Sequence, residues 1–206
     1  MHLRHLSFLL PTALLSMGLG CLRHYVAEPL PRPGPHRAVQ GGEGLEMGVK
    51  GFQAKEDIAA GFGARLAEKS QVIPVQVSLA NRGQRKYRVL LTRVNLLETG
   101  GTRILPCLDL DKAYAQGQFT YGAPINWIVL AGVLGLPSLF TTLNANEMLW
   151  QDYQRKRFPD TVLAPCDSAG GVFFFDPAPS GLKRGSGFAF SIDLEDIATG
   201  ATLTLS

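Results

Sequence analysis

All four histidines of this 206-residue chain, His2, His5, His24 and His36, precede Leu45, so the stretch from Leu45 to Ser206 contains no imidazole. A Ser-His-Asp or Cys-His nucleophile system cannot be assembled there, and a histidine metal site would need the leading segment to fold back. Carboxylates do cluster, as Asp109 and Asp111 in "LDLD" and as Asp193, Glu195 and Asp196 in "DLED". Two carboxylates one residue apart on a strand point the same way and could hold calcium or do acid/base work. Neither cluster has the glycine and spaced oxygens of a calcium loop, and a solvated strand end and a turn account for both. "GFG" at 61–63 resembles half a phosphate loop, but it lacks a preceding strand-helix unit and a following Lys-Ser/Thr. The residues thus nominate no catalytic group, no metal site and no cofactor, and a non-enzymatic role is expected. A formal charge of +3, evenly spread, sets nucleic acid aside as a partner.

The elements that position these residues begin with a targeting segment. In "MHLRHLSFLLPTALLSMGLGC" Arg4 gives a basic start, Leu6 to Leu15 an apolar stretch, and Gly18 and Gly20 lead to Cys21. This resembles a bacterial lipoprotein signal peptide, in which the cysteine after the small-residue box is lipidated and begins the mature chain. The position three before Cys21, usually Leu in that pattern, is Gly18 here, with Leu19 beside it. Leu22 after the lipidated position, rather than Asp, resembles lipoproteins sent to the outer membrane. The resemblance implies a lipid-anchored envelope protein facing the periplasm. In that oxidising compartment Cys107 and Cys166 are expected to form a disulfide, worth on the order of 3 to 4 kcal/mol by closing a long loop; two buried free thiols are the alternative.

Residues 21–44, with Pro29, Pro31, Pro33 and Pro35 followed by glycines, read as an extended tether. A strand is expected near Glu46 to Phe52. "KEDIAAGFGARLAEKS" then places Ile58, Phe62 and Leu66 on one face of a short helix. Ile73, Val75, Val77 and Leu79 alternate as a strand, and "ANRGQ" turns the chain. Tyr87, Val89 and Leu91 alternate next, while Val94 and Leu96 resume in the opposite parity, which predicts a bulge near Thr92. A return strand at Arg103 to Leu105, the strand-turn-strand "TVLAPCDSAGGVFFFD" and the hairpin "FAFSIDLEDIATGATLTLS" complete about seven strands. The pattern points to an antiparallel β-sandwich. From Leu45 onward it also resembles the immunoglobulin-like domains of bacterial lipoproteins: a strand ending in Asn81, a hairpin ending in "LLETGGTRI", then "LAPCDSAGGVFFF" and the final strands. In those domains the turn before the phenylalanines is usually Pro-Gly, whereas this chain has Pro165 and Cys166.

Between Lys112 and Glu147 there is no charged residue, and "NWIVLAGVLGLPSLF" (126–140) is the most apolar stretch of the domain. As one helix, 125–143 would reach roughly 28 Å, near a bilayer's hydrocarbon thickness. Pro137 argues against a single rod: a helix ending before it reaches only about 18 Å, and Pro137 suits the first turn of a second helix through "SLFTTLNANEMLWQDYQRKR". Leu139, Leu143, Trp150 and Tyr153 are expected near one face of it, with Arg155, Lys156 and Arg157 at its end. The segment thus reads as an apolar helical hairpin, about 123–158, inserted between strands, with a true membrane span as runner-up. Trp127, Ile128, Val129, Leu130, Val133, Leu134 and Leu136 together would gain up to roughly 10 to 20 kcal/mol on leaving water. With Leu139 and Phe140 they can dip into the leaflet holding the lipid, pack on an envelope protein partner, or cover the sandwich itself. The functional expectation is a lipid-anchored structural or interaction module. The alternative is a small-ligand or sugar-binding lipoprotein using Trp150, Tyr153 and the nearby basic residues.

Overall fold

A computed structural model of the chain describes residues 39–41, 44–99, 103–119, 136–181, 184–185 and 187–206. The expected signal segment, the expected lipidation site Cys21, most of the expected tether and Trp127, Ile128, Leu130, Val133 and Leu134 of the expected hairpin lie outside them, as do the side chains of Leu136 and Leu139. The chain divides into two compact units. One comprises 27–118 and 150–206; of the other, the structure describes Phe119 and 136–149.

The larger unit is mainly β. One sheet has the order β1-β2-β3-β7, built from Val39–Gly41, Leu45–Gly51, Ile73–Asn81 and Ser168–Phe175. The second has the order β5-β4-β8-β9, from Ile104–Pro106, Tyr87–Glu98, Phe188–Asp196 and Thr202–Leu205, with β6 (Val162–Leu163) also pairing with β4. All pairings are antiparallel. The two sheets share one apolar core, as in a β-sandwich: Val75, Val77, Leu79, Phe173 and Phe175 from one, and Val89, Val94, Leu96, Ile192 and Leu194 from the other. The described strands number nine; the strand-turn-strand expected in "TVLAPCDSAGGVFFFD" is β6 and β7, and the strand that was not expected is β1, whose three residues are too few to show a period. β1 also shortens the expected tether, since Val39 to Gly41 pair with Met47 to Leu45.

The parity change in β4 is the predicted bulge. Val89 pairs with Leu194 and Val94 with Ile192, so the register shifts between them and both valines reach the core. In β3, Pro74 and Gln76 are buried too, although their parity should face solvent. A helical layer packs against that side. The expected helix forms as two pieces, α1 (Lys55–Phe62) and α2 (Ala64–Lys69), because Gly63 adopts φ 91° and breaks the hydrogen-bond ladder. Ile58, Phe62 and Leu66 are nevertheless all fully buried. The three phenylalanines of β7 divide accordingly: Phe173 and Phe175 enter the sandwich, and Phe174 packs on Phe62 and Tyr153 of the helical layer.

Among the described residues, two α-helices follow β5. α3 (Leu110–Gly117) was not anticipated: "LDLD" read as a strand end, yet Asp109 sits at the helix N-cap and Asp111 in the first turn, where carboxylates suit the dipole. α4 (Leu136–Lys156) begins one residue before Pro137, as a first-turn proline allows. Its buried residues are Thr142, Ala145, Asn146, Leu149, Asp152, Tyr153 and Lys156, spaced by three and four. This corrects the expected face, for Leu143 is exposed and Trp150 only half-buried. The stripe mixes polar with apolar residues, so apolar periodicity alone misplaced it. Asn146 justifies its burial by accepting from the Phe119 N–H at 2.7 Å and donating to the Phe119 carbonyl at 3.0 Å.

Candidate functional site

Two surfaces hold several of the residues that sequence reading singled out. The first is the start of α4, where Phe140 is 63% exposed and Leu143 46%, with Met148 further along also exposed. Phe140 and Leu143 are three residues apart and so adjoin on the helix surface. They continue directly from the uncharged stretch that precedes α4 in sequence. No helix among the described residues is long and apolar enough to cross a membrane. α4 itself carries Asp152, Arg155 and Lys156 in its second half.

The second surface is a half-open cleft of about 860 Å³, within the larger unit. Its lining includes Val172, Phe173 and Phe174 from β7, Leu91 and Thr92 from the bulge of β4, and Pro106 to Lys112 from the passage between β5 and α3. Trp150 and Gln154 enter it from the end of α4, and Arg157, Phe158 and Asp160 from the segment after it. The bulge matters here, because the extra residues of β4 that leave the ladder are those that reach the cleft. Arg157 and Phe158 run beside β7: the Phe158 N–H donates to the Val172 carbonyl at 3.2 Å. Gly171 permits this approach, since a Cβ there would collide with the backbone of Phe158. Trp150 is braced edge-on by Tyr114 of α3, with ring centroids 5.1 Å apart.

The structure brings Cys107, Asp109, Asp111, Trp150 and Arg157 to this one cleft and leaves the other candidates elsewhere. Asp109 is exposed and pairs with Lys112 at 3.2 Å. Tyr153, expected to offer a ring to a ligand, is fully buried: its hydroxyl donates to the Phe62 carbonyl at 3.1 Å, and burial raises its pKa. Lys156 is buried as well. Its ammonium meets the Asp152 carboxylate at 2.7 Å, donates to the Gly61 carbonyl at 2.6 Å and lies 5.4 Å from the Phe62 ring centroid. These groups tie the end of α4 to α1. Gln154 and Asp160 were missed by sequence reading. Gln154 could have been found, for it stands four residues after Trp150 on the same helical face.

The second carboxylate cluster lies on β8. Asp193 accepts from the Thr204 hydroxyl at 2.6 Å, Glu195 approaches Arg88 at 3.5 Å, and Asp196 meets Arg85 at 3.1 Å. Asp196 accepts from the Ala198 N–H at 2.8 Å, and that bond, with help from the Arg85 guanidinium, holds its pKa below the usual carboxylate range. This is a turn-forming aspartate. Among the described residues no group of three or more His, Cys, Asp or Glu side chains could hold a metal ion.

The expected disulfide is corrected. Cys107 and Cys166 are both free thiols. Cys107 bridges to Phe175 at the far end of β7, whereas Cys166 precedes Ser168 at its start, so the eight-residue strand separates them. At about 3.3 Å per residue that is more than 20 Å, against a limit near 7 Å for a bridge. Burial pushes the Cys107 thiol up to about 11, so it stays protonated at neutral pH. Cys166 instead fills a turn position: the Asp167 N–H donates to the Ala164 carbonyl, and Cys166 has φ 63° after Pro165. That is the geometry of a type II turn, whose third residue ordinarily is glycine. Beside it, the buried Asn81 side chain donates to the carbonyls of Arg85, Leu163 and Ala164 and accepts from the Gly83 N–H, fixing two loops to the end of β3.

No protein family, curated protein or solved structure matches this chain.

Proposed function

We propose that this chain is a lipid-anchored protein of the cell envelope, carried on Cys21 at the outer membrane facing the periplasm, with a structural or protein-interaction role and no catalysis. In this reading the β-sandwich is an immunoglobulin-like domain on a short tether. The apolar segment before and into α4 forms a helical hairpin whose residues, Trp127 to Leu136 with Leu139 and Phe140, make a second contact with the membrane. An envelope protein partner is the other occupant such a surface fits. The observation that carries the reading is the exposure of Phe140 and Leu143 at the start of α4, next in sequence to a stretch with no charge. Apolar side chains left in water on adjoining helix positions favour an interfacial contact, and a lipid on Cys21 would hold a bilayer close by. Two weak anchors together retain a protein where one is marginal.

Fractionation of cells expressing the full chain tests this. Cys21→Ala should remain partly with membranes through the second contact, and adding Phe140→Glu and Leu143→Glu should release it to the soluble fraction. Equal membrane retention of the single and triple variants would refute the second contact. Artificial liposomes separate the two occupants, since binding to protein-free lipid identifies the membrane and its absence identifies a protein.

A further inference from the structure

Trp150 and Gln154, at i and i+4, share one face near the end of α4, Arg157 directly follows the helix, and all three line the cleft of about 860 Å³. The start of α3 adds Asp109 and Asp111 to the same cleft, and the segment after α4 adds Asp160. We propose that this cleft is a binding site for an oligosaccharide of neutral or amino pyranoses, with Trp150 as the stacking platform and Asp111, Gln154, Arg157 and Asp160 as hydroxyl partners. The site is independent of the membrane contact proposed above.

Sugar rings present two chemistries, a face of C–H groups that packs on an aromatic ring and an edge of hydroxyls that both donate and accept. The cleft offers a match for each. Trp150 is half-buried and already held by Tyr114, so binding need not order it further. Carboxylates at Asp111 and Asp160 accept, the Arg157 guanidinium donates, and the Gln154 amide does both. Among the described residues no hydrogen bond or ion pair occupies the side chains of Asp111, Gln154 or Asp160, and all three are exposed. A molecule rich in hydroxyls can meet all of them at once.

Charge selects among sugars. The cleft holds the carboxylates of Asp109, Asp111 and Asp160 against the cations Lys112 and Arg157, and Lys112 is engaged by Asp109. The remaining balance is negative, which disfavours acidic sugars and tolerates or favours amino sugars. The volume falls in the range of ligand sites, about 300 to 1,000 Å³. Its half-open form suits a chain passing through rather than an enclosed monosaccharide. The proposal concerns binding, with the cleft carboxylates serving as acceptors for sugar hydroxyls.

The chain's two tryptophans make the test direct. In the full chain carrying Trp127→Phe, Trp150 is the sole indole reporter, to be titrated with chitotetraose, cellotetraose and tetragalacturonate. Chitotetraose or cellotetraose should change the Trp150 emission saturably, and tetragalacturonate should not. By calorimetry on the otherwise native chain, Gln154→Ala with Asp160→Asn should weaken that binding at least about tenfold, with an unchanged thermal transition showing that the fold is intact. No saturation by either neutral or amino sugar up to about 10 mM, tighter binding of tetragalacturonate, or full affinity in the double variant would overturn the proposal.

Discussion

The last two turns of α4 carry two sets of polar residues that could hardly be used more differently. Asp152, Tyr153 and Lys156 turn toward α1, where the ammonium, the carboxylate, the phenol and the carbonyls of Gly61 and Phe62 satisfy one another out of water. Trp150, Gln154 and Arg157 line an open cleft. Lys156 and Arg157 are neighbours in sequence, and both belong to what reads as one basic cluster. A charge whose partners are all supplied from within is architecture, and one left facing a concavity is available to a ligand. The distinction rests on which helix face is covered.

Breaking the buried set should have the largest effect. Lys156→Met removes the ammonium that meets the buried Asp152 carboxylate and a donor to the Gly61 carbonyl, so chemical denaturation should show a loss of about 3 to 5 kcal/mol. Replacing both members of the pair, Asp152→Leu with Lys156→Met, should recover most of it, because well-packed apolar groups substitute for a buried ion pair at little cost. A double variant no more stable than Lys156→Met would show that the pair does more than satisfy itself.

Asp196 of β8 should have an intermediate effect, through pH. The pKa of Asp196 is lowered in the folded chain, chiefly by the Ala198 N–H, so the stability it contributes is complete above the ordinary carboxylate pKa. That contribution is lost as pH falls through its lowered folded value. Asp196→Asn should therefore flatten the acid limb of the stability curve, measured by denaturation at a series of pH values.

The smallest change concerns the turn. Cys166→Gly relieves a left-handed conformation that a side chain disfavours, offset by the greater freedom of glycine in the unfolded chain, so a gain of up to about 1 kcal/mol is expected. A loss would mean that the thiol makes a contact worth more than the strain.

Much of the sandwich is legible in the sequence because strands with one covered face announce themselves by alternation. Ile73 to Leu79, the parity change at Val94 and the terminal hairpin all stand where the period of two puts them. Alternation fails where a second layer covers the other face: the burial of Pro74 and Phe174 depends on α1 and Tyr153, and no local pattern encodes that. Gly63 could have signalled the break between α1 and α2, since glycine both weakens a helix and accepts φ 91°. Of the cleft, Trp150 and the first carboxylates were visible as residue types. Their convergence with Asp160 and Gln154 was not, because it arises from a β-bulge, a glycine-permitted approach at Gly171 and a helix unrecognised at Leu110. The disulfide expectation failed for a related reason: compartment chemistry says that thiols would oxidise but carries no information on distance, and β7 lies between these two.

The proposed function turns on Cys21, which in that reading is lipidated and opens the mature chain. Metabolic labelling with radioactive palmitate, followed by recovery of the full-length gene product from separated membranes, reads that residue directly. The account predicts label in the wild-type protein at the outer membrane and none in Cys21→Ala. An unlabelled wild-type protein, or label that persists in Cys21→Ala, would contradict it.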